Sequence, residues 1–166
     1  MKILVTVASK HGSTREIARA IADELRAQAL VVDLYDIDEV QTLTGYDAVI
    51  LGSAIYAGNW LPQAKRFAQR NADQLARLPV WVFSSGPIGA PDPQPHDDPA
   101  RLAASLGAAK IRDHQVFVGK LDLAELGLTD RLIARAFHTP EGDFRDWDAI
   151  RTWAREIAAE LRVPSA

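Results

Sequence analysis

The chain has 166 residues, 48% hydrophobic and 25% charged, with a formal net charge of -3 and no cysteine. That length suits one domain with a sizeable core. The charge leaves no electrostatic footprint for nucleic acid, and the absence of cysteine excludes disulfides, thiolate metal sites and cysteine nucleophiles. The opening "MKILVTV" is too short and too β-branched to read as a signal peptide, and the longest apolar run, 48–58, falls far short of a membrane span. The expected compartment is a reducing cytoplasm.

Five apolar segments are expected as buried strands: Lys2–Ala8, Leu30–Tyr35, Ala48–Ser53, Val80–Ser85 and Gln115–Leu121. Most lack alternation, as a parallel sheet covered on both faces requires. Helices are expected between them. Thr14–Gln28 carries Ile17, Ile21 and Leu25 on one stripe, with Ser13 and Glu16 spaced as a capping box. A second spans about Leu61–Leu75, with Pro62 in its first turn. A third starts near Asp98 and Pro99 and stops at Gly107, and the last runs from about Asp146 to Leu161 with Ile150, Trp153, Ile157 and Leu161 inward. This order predicts an α/β fold, an open doubly wound five-stranded parallel sheet in one domain. The Pro- and Asp-rich stretch 86–99 must be loop. Residues 122–145 form an extra segment before the last helix, in which Leu128, Leu132, Ile133, Ala136 and Phe137 can share one apolar face.

The loop "SKHGST", residues 9–14, joins the first strand to the first helix. Open α/β sheets bind ligands at this carboxyl edge. A helix N-terminus favours an anion. Ser9, Ser13 and Thr14 add hydroxyls and Gly12 allows close approach. A phosphate cradle and a plain capped turn both remain open from the loop alone. The dinucleotide fingerprint and the P-loop are absent. Asp33 and Asp36 therefore read as a solvated loop rather than a ribose site. A receiver domain would need carboxylates after the first strand, where Ala8, Ser9 and Lys10 stand.

Two more loops share that edge. "GSAIYAGNWLP", residues 52–62, places Tyr56 and Trp60 near glycines, as ring-stacking residues or as core anchors. "SSGPIGA", residues 84–90, offers backbone N–H groups and small residues that can grip a ring edge. One phosphate cradle and two loops around a planar ring describe a mononucleotide site.

The pattern resembles the flavodoxin-like FMN proteins, whose first loop reads hydroxyl-x-hydroxyl-G-x-T. Here His11 stands in place of the second hydroxyl. The resemblance implies strand order 2-1-3-4-5 and FMN as cofactor. It implies the phosphate on Ser9, Lys10, His11, Gly12, Ser13 and Thr14. The isoalloxazine would lie against Ala54, Ile55, Tyr56, Ala57, Gly58 and Trp60 on one side, and Ser85, Gly86, Pro87, Ile88 and Gly89 on the other. Within that family the chain is similar to the menaquinone-dependent protoporphyrinogen oxidase branch. The shared features are the basic residue Lys10, "GSAIYAGNW" and the tail "GDFRDWDAIRTWAREIA", residues 142–158. The branch implies an FMN-dependent oxidoreductase using a quinone or a porphyrinogen. The alternative is a flavodoxin carrying electrons between redox proteins.

Low-potential carriers keep carboxylates around the flavin. The second loop has none, and the third has Asp92 only at its far end, which favours the oxidoreductase. The oxidase branch links an equivalent of residues 122–145 to activity and makes it basic and aromatic. Here Arg131, Arg135, Phe137 and His138 stand against Asp122, Glu125, Asp130, Glu141 and Asp143. An amphipathic cover for the sheet edge, a dimer contact or peripheral membrane contact are the readings for it. His96, His114 and His138 lack metal-ligand spacing and read as surface histidines. A cofactor-free interaction domain on the same scaffold is a third reading. No catalytic acid or base is assigned, because the cofactor carries the chemistry in such proteins.

Overall fold

A computed structural model describes residues 1–56, 59–86, 106–107, 109–124, 126–128, 131–132 and 141–163. Strand β1 (Lys2–Ala8) leads to α1 (Ser13–Ala27) and β2 (Val31–Asp36), which runs into a single 3-10 turn at Ile37–Glu39. Strand β3 (Ala48–Tyr56) and the two-residue β4 (Asn59–Trp60) precede α2 (Pro62–Arg70) and α3 (Ala72–Leu75). Then come β5 (Pro79–Ser85), β6 (Lys110–Phe117), β7 (Lys120–Leu121), β8 (Gly142–Asp143) and α4 (Trp147–Arg162).

The main sheet is parallel in the order β2-β1-β3-β5-β6. With the small antiparallel β4 set aside, this is the doubly wound order 2-1-3-4-5 that the resemblance implies. Side chains alternate along each strand, so the sheet has two dry faces. Ile3, Val5, Val7, Ile50, Trp81 and Phe83 pack under α1 and α4 against Ile17, Ile21, Trp153 and Ile157. Leu4, Val49, Leu51, Val80 and Val82 pack on the other face against Trp60, Ala64 and Phe67.

Several expectations shift. The fifth strand is Lys110–Phe117, not Gln115–Leu121. It is an edge strand reading KIRDHQVF, and an edge strand does not need a continuous apolar run. Lys120–Leu121 instead pairs antiparallel with Gly142–Asp143. The second helix breaks at Asn71, whose side-chain amide donates to the Phe67 carbonyl. Ser13 does not cap α1. Gly12, at φ 86°, occupies the cap position, and no side chain caps the helix there. Asp33 and Asp36 stand on β2 rather than in a loop, and both are hydrogen-bonded. Asp33 accepts from Tyr46 Oη at 2.7 Å and Lys2 Nζ at 2.8 Å, while Asp36 takes a two-pronged bond from Arg15 at 2.7 and 2.5 Å. Of the helix expected to end at Gly107, only Leu106 and Gly107 are described. Ile133, Ala136 and Phe137 lie outside the described residues. Leu128 and Leu132 are 80% and 66% exposed.

The last helix is capped by Asp146, which accepts from the Ala149 N–H. Its Trp153 stacks edge-on against Phe83 and Phe117 and donates from Nε1 to Asp113 Oδ2 at 2.6 Å. Burial works to raise the Asp113 carboxyl, but the bonds from Gln115 and Trp153 hold it below the ordinary value of 3.8. The folded value lies below the unfolded one. The carboxylate's stabilisation is therefore full above about pH 4 and is lost as the pH falls through the folded value. Trp153→Phe is expected to cost about 2 kcal/mol at neutral pH, a bond to a charged group plus some packing. Denaturant unfolding at pH 7 and at pH 3 checks this: the gap between variant and parent narrows in acid.

Candidate functional site

The sheet register decides which loops meet. Ala8 lies beside Ser53 on β3, Ser53 beside Ser84 on β5, and Ala54 beside Ser85. The chain leaves these neighbouring strands at one carboxyl edge, so residues 9–14, 54–56 and 85–86 converge there. Lys10 Nζ sits 4.2 Å from the centroid of the Tyr56 ring, which ties the first loop to the second. The Gly86 N–H bonds the Phe117 carbonyl at 3.0 Å, holding the third loop against β6.

The first loop is shaped from within. Ser9 Oγ accepts from the Gly12 N–H at 3.1 Å, and the Gly12 carbonyl accepts the Glu16 N–H, the first bond of α1. The N–H groups of residues 13–15 come before that bond and have no acceptor within the helix. A Cβ placed on Gly12 would meet nothing within 4 Å, so open space lies over the turn. Thr14 is 2% exposed and Lys10 is exposed. Open space, helix N–H groups, hydroxyls and one cation make a donor set that fits a phosphate.

The second loop differs from expectation. Strand β3 continues through Tyr56 and folds back as a hairpin, pairing Ile55 with Trp60 and Tyr56 with Asn59. Ala57 and Gly58 at its tip lie outside the described residues, as do Pro87, Ile88 and Gly89. Ala54 and Ile55 are half-buried and Tyr56 is 43% exposed, so Tyr56 offers its ring at the edge. Trp60 does not. It is 4% exposed and packs into the α2-side core, and its Nε1 donates to Ser84 Oγ at 2.8 Å. Trp60 is the core anchor of the two readings that the sequence left open.

That bond belongs to a chain of polar groups that the sequence did not announce. Ser84 Oγ also lies 3.0 Å from His114 Nε2, and Ser53 Oγ accepts the Leu61 N–H at 3.1 Å. The buried serines Ser53 and Ser84 staple the hairpin to the sheet. His114 is thus a structural partner rather than a plain surface histidine. The only sequence signal was polar residues closing apolar strands.

Arg145 was also missed. Its side chain is 3% exposed, and it binds Asp143, Glu16 and the Ser13 carbonyl beside the first loop. Among the described residues no cluster could hold a metal ion, and no helix is long and apolar enough to cross a membrane.

A doubly wound sheet with an anion-ready turn after β1 and an aromatic hairpin after β3 defines a flavodoxin-like mononucleotide-binding protein. The flavodoxin domain family model matches residues 4–148, and the chain belongs to that family. It is 26% identical to the protoporphyrinogen IX dehydrogenase [quinone] of Escherichia coli strain K12 over 95% of both chains. It is 33% identical to probable flavodoxin 1 of Bacillus subtilis strain 168, over 54% of this chain and 60% of that one. A flavodoxin structure from the domain Archaea superposes with a TM-score of 0.68 at 14% identity, covering 98% of this chain and all of that one. FMN is the cofactor this membership implies, and the open, hydroxyl-lined turn fits its phosphate.

Proposed function

We propose that the chain is an FMN-dependent oxidoreductase of the quinone-linked protoporphyrinogen dehydrogenase type, acting as a single cytoplasmic domain with residues 122–145 as an added segment. The observation that carries this reading is the charge at the site. Among the described residues of the three loops there is no carboxylate, and the cation of Lys10 lies over the Tyr56 ring. Ser9, Lys10, His11, Gly12, Ser13 and Thr14 would hold the FMN phosphate. Ala54–Gly58 and Ser85–Gly89 would border the ring, with Tyr56 against its face. FMN supplies redox chemistry when bound, and the protein supplies orientation and field. A nearby cation favours negative charge on a reduced flavin and raises its potential. That suits exchange with a quinone or a porphyrinogen better than low-potential relay. The end-to-end similarity to the Escherichia coli enzyme, which spans the added segment, supports the same reading.

The decisive assay supplies FMN-loaded protein with protoporphyrinogen and a menaquinone analogue. Many turnovers per protein are expected. Stoichiometric exchange with a flavodoxin reductase and no turnover would select the carrier reading, which the partial similarity to a probable flavodoxin favours. Lys10→Gln is expected to lower the two-electron potential by about 30 mV, equivalent to about 1.4 kcal/mol. Spectroelectrochemical titration of the two proteins measures that difference.

A further inference from the structure

The added segment leaves and rejoins the fold through a neck. Lys120–Leu121 pairs antiparallel with Gly142–Asp143, and the Phe144 N–H bonds the Gly119 carbonyl at 3.3 Å. This neck does not stand free. It rests on the first turn of α1, immediately behind the proposed phosphate loop. The Lys120 N–H donates to Ser13 Oγ at 3.2 Å. Arg145, the second residue after β8, donates to the Ser13 carbonyl at 3.3 Å and to Glu16 Oε2 at 2.7 Å. The same guanidinium grips Asp143 from Nε at 2.7 Å and Nη2 at 2.6 Å, and lies 4.4 Å from the Trp147 ring. The Asp143 carboxyl is held low, chiefly by Arg145. Both partners thus stay charged at neutral pH.

The chemistry of Ser13 makes this a link rather than a support. A hydroxyl has one proton to give and two lone pairs to accept with. Ser13 accepts from the neck, which leaves its proton for an oxygen in the cradle. An anion there polarises the hydroxyl and strengthens the bond from Lys120. Resting on the FMN reading above, we propose that Arg145 is a positioning residue: it locks the neck, residues 119–121 and 142–145, to Ser13, so that FMN phosphate binding and docking of the neck favour one another. Linkage makes the effect reciprocal. A loosened neck weakens FMN by the factor by which FMN steadies the neck. The phosphate is the part sensed, so riboflavin, which lacks it, is the control ligand.

The first measurement needs no substitution. Amide hydrogen exchange of the whole protein is followed at Lys120 and Phe144, alone, with FMN and with riboflavin. Slower exchange with FMN and not with riboflavin is expected. Equal protection by both ligands, or by neither, overturns the proposal. Arg145→Lys, which keeps the charge and loses the fork, and Arg145→Ala are then titrated with both flavins by fluorescence quenching. FMN affinity is expected to fall about tenfold in Arg145→Ala, equivalent to about 1.4 kcal/mol, with riboflavin affinity unchanged. Arg145→Lys should fall between. Wild-type affinity for FMN in both variants, or equal loss of both flavins, overturns the positioning role. If the parent protein itself binds no FMN, the functional reading fails and this proposal fails with it.

Discussion

Replacing Gly52 with valine is expected to abolish soluble, folded protein, and with alanine to cost about 3 kcal/mol. Gly52 lies in the central strand β3, directly across from Phe83 on β5. A Cβ there would stand 2.6 Å from Phe83 Cε2, with Cε1 and Cζ nearer still. The ring cannot step aside. It is fully buried, with Phe117 and Trp153 centroids each 6.2 Å away. Interiors packed to crystal-like density transmit such an overlap to the backbone. For a chain of this size, about 3 kcal/mol corresponds to a melting temperature lower by roughly 10 °C. Thermal unfolding of Gly52→Ala checks this. The pairing is tested by adding Phe83→Leu: the double variant should lose clearly less than the two single losses added together. Additive losses would show that the ring is not what confines position 52.

Gly12→Asp is expected to weaken FMN binding by at least about a hundredfold, while Gly12→Ala changes it only a few-fold. The two substitutions separate charge from strain. At φ 86° the backbone is left-handed, and an L side chain there costs about 1–2 kcal/mol. No atom would clash with the new Cβ, so strain is the whole cost for alanine. Aspartate adds a carboxylate at the turn that is proposed to hold a phosphate. Two like charges about 4 Å apart repel by about 4 kcal/mol at an effective dielectric of 20, which makes a hundredfold loss a cautious expectation. Fluorescence titration with FMN and riboflavin measures both. Riboflavin affinity should be similar in the two variants, since it brings no phosphate. Retention of FMN by Gly12→Asp at parent affinity would move the phosphate away from this loop.

Burial patterns explain which expectations held. Strands β1, β3 and β5 were readable because a strand covered on both faces must be apolar throughout, and their starts or ends fall within three residues of the expected bounds. The edge strand β6 was misplaced. Among the described residues one of its sides has no strand neighbour, so Arg112, Asp113, His114 and Gln115 are tolerated there. Ser13 and Glu16 matched a capping box by spacing, yet Gly12 took the cap and both side chains turned to the neck around Lys120 and Arg145. Trp60 shows the same limit. Its place two residues after Gly58 suits an exposed stacking residue as well as a buried anchor, and only its bond to Ser84 and its burial against α2 separate the two.

The amino-acid sequence by itself determined the alternation of apolar strands and amphipathic helices, and with it an open doubly wound parallel sheet; the strand order and the family came from the resemblance of its loop motifs to known proteins. It also determined that a hydroxyl- and glycine-bearing turn follows the first strand. These are local properties, set by the period of hydrophobicity and by residue type. The tertiary structure decided what depends on partners far along the chain. It brought Lys10 over Tyr56, Trp60 onto Ser84, and Arg145 onto Ser13 across 132 residues. No local pattern encodes such pairings, because they follow from which strands lie side by side and which loops therefore share an edge.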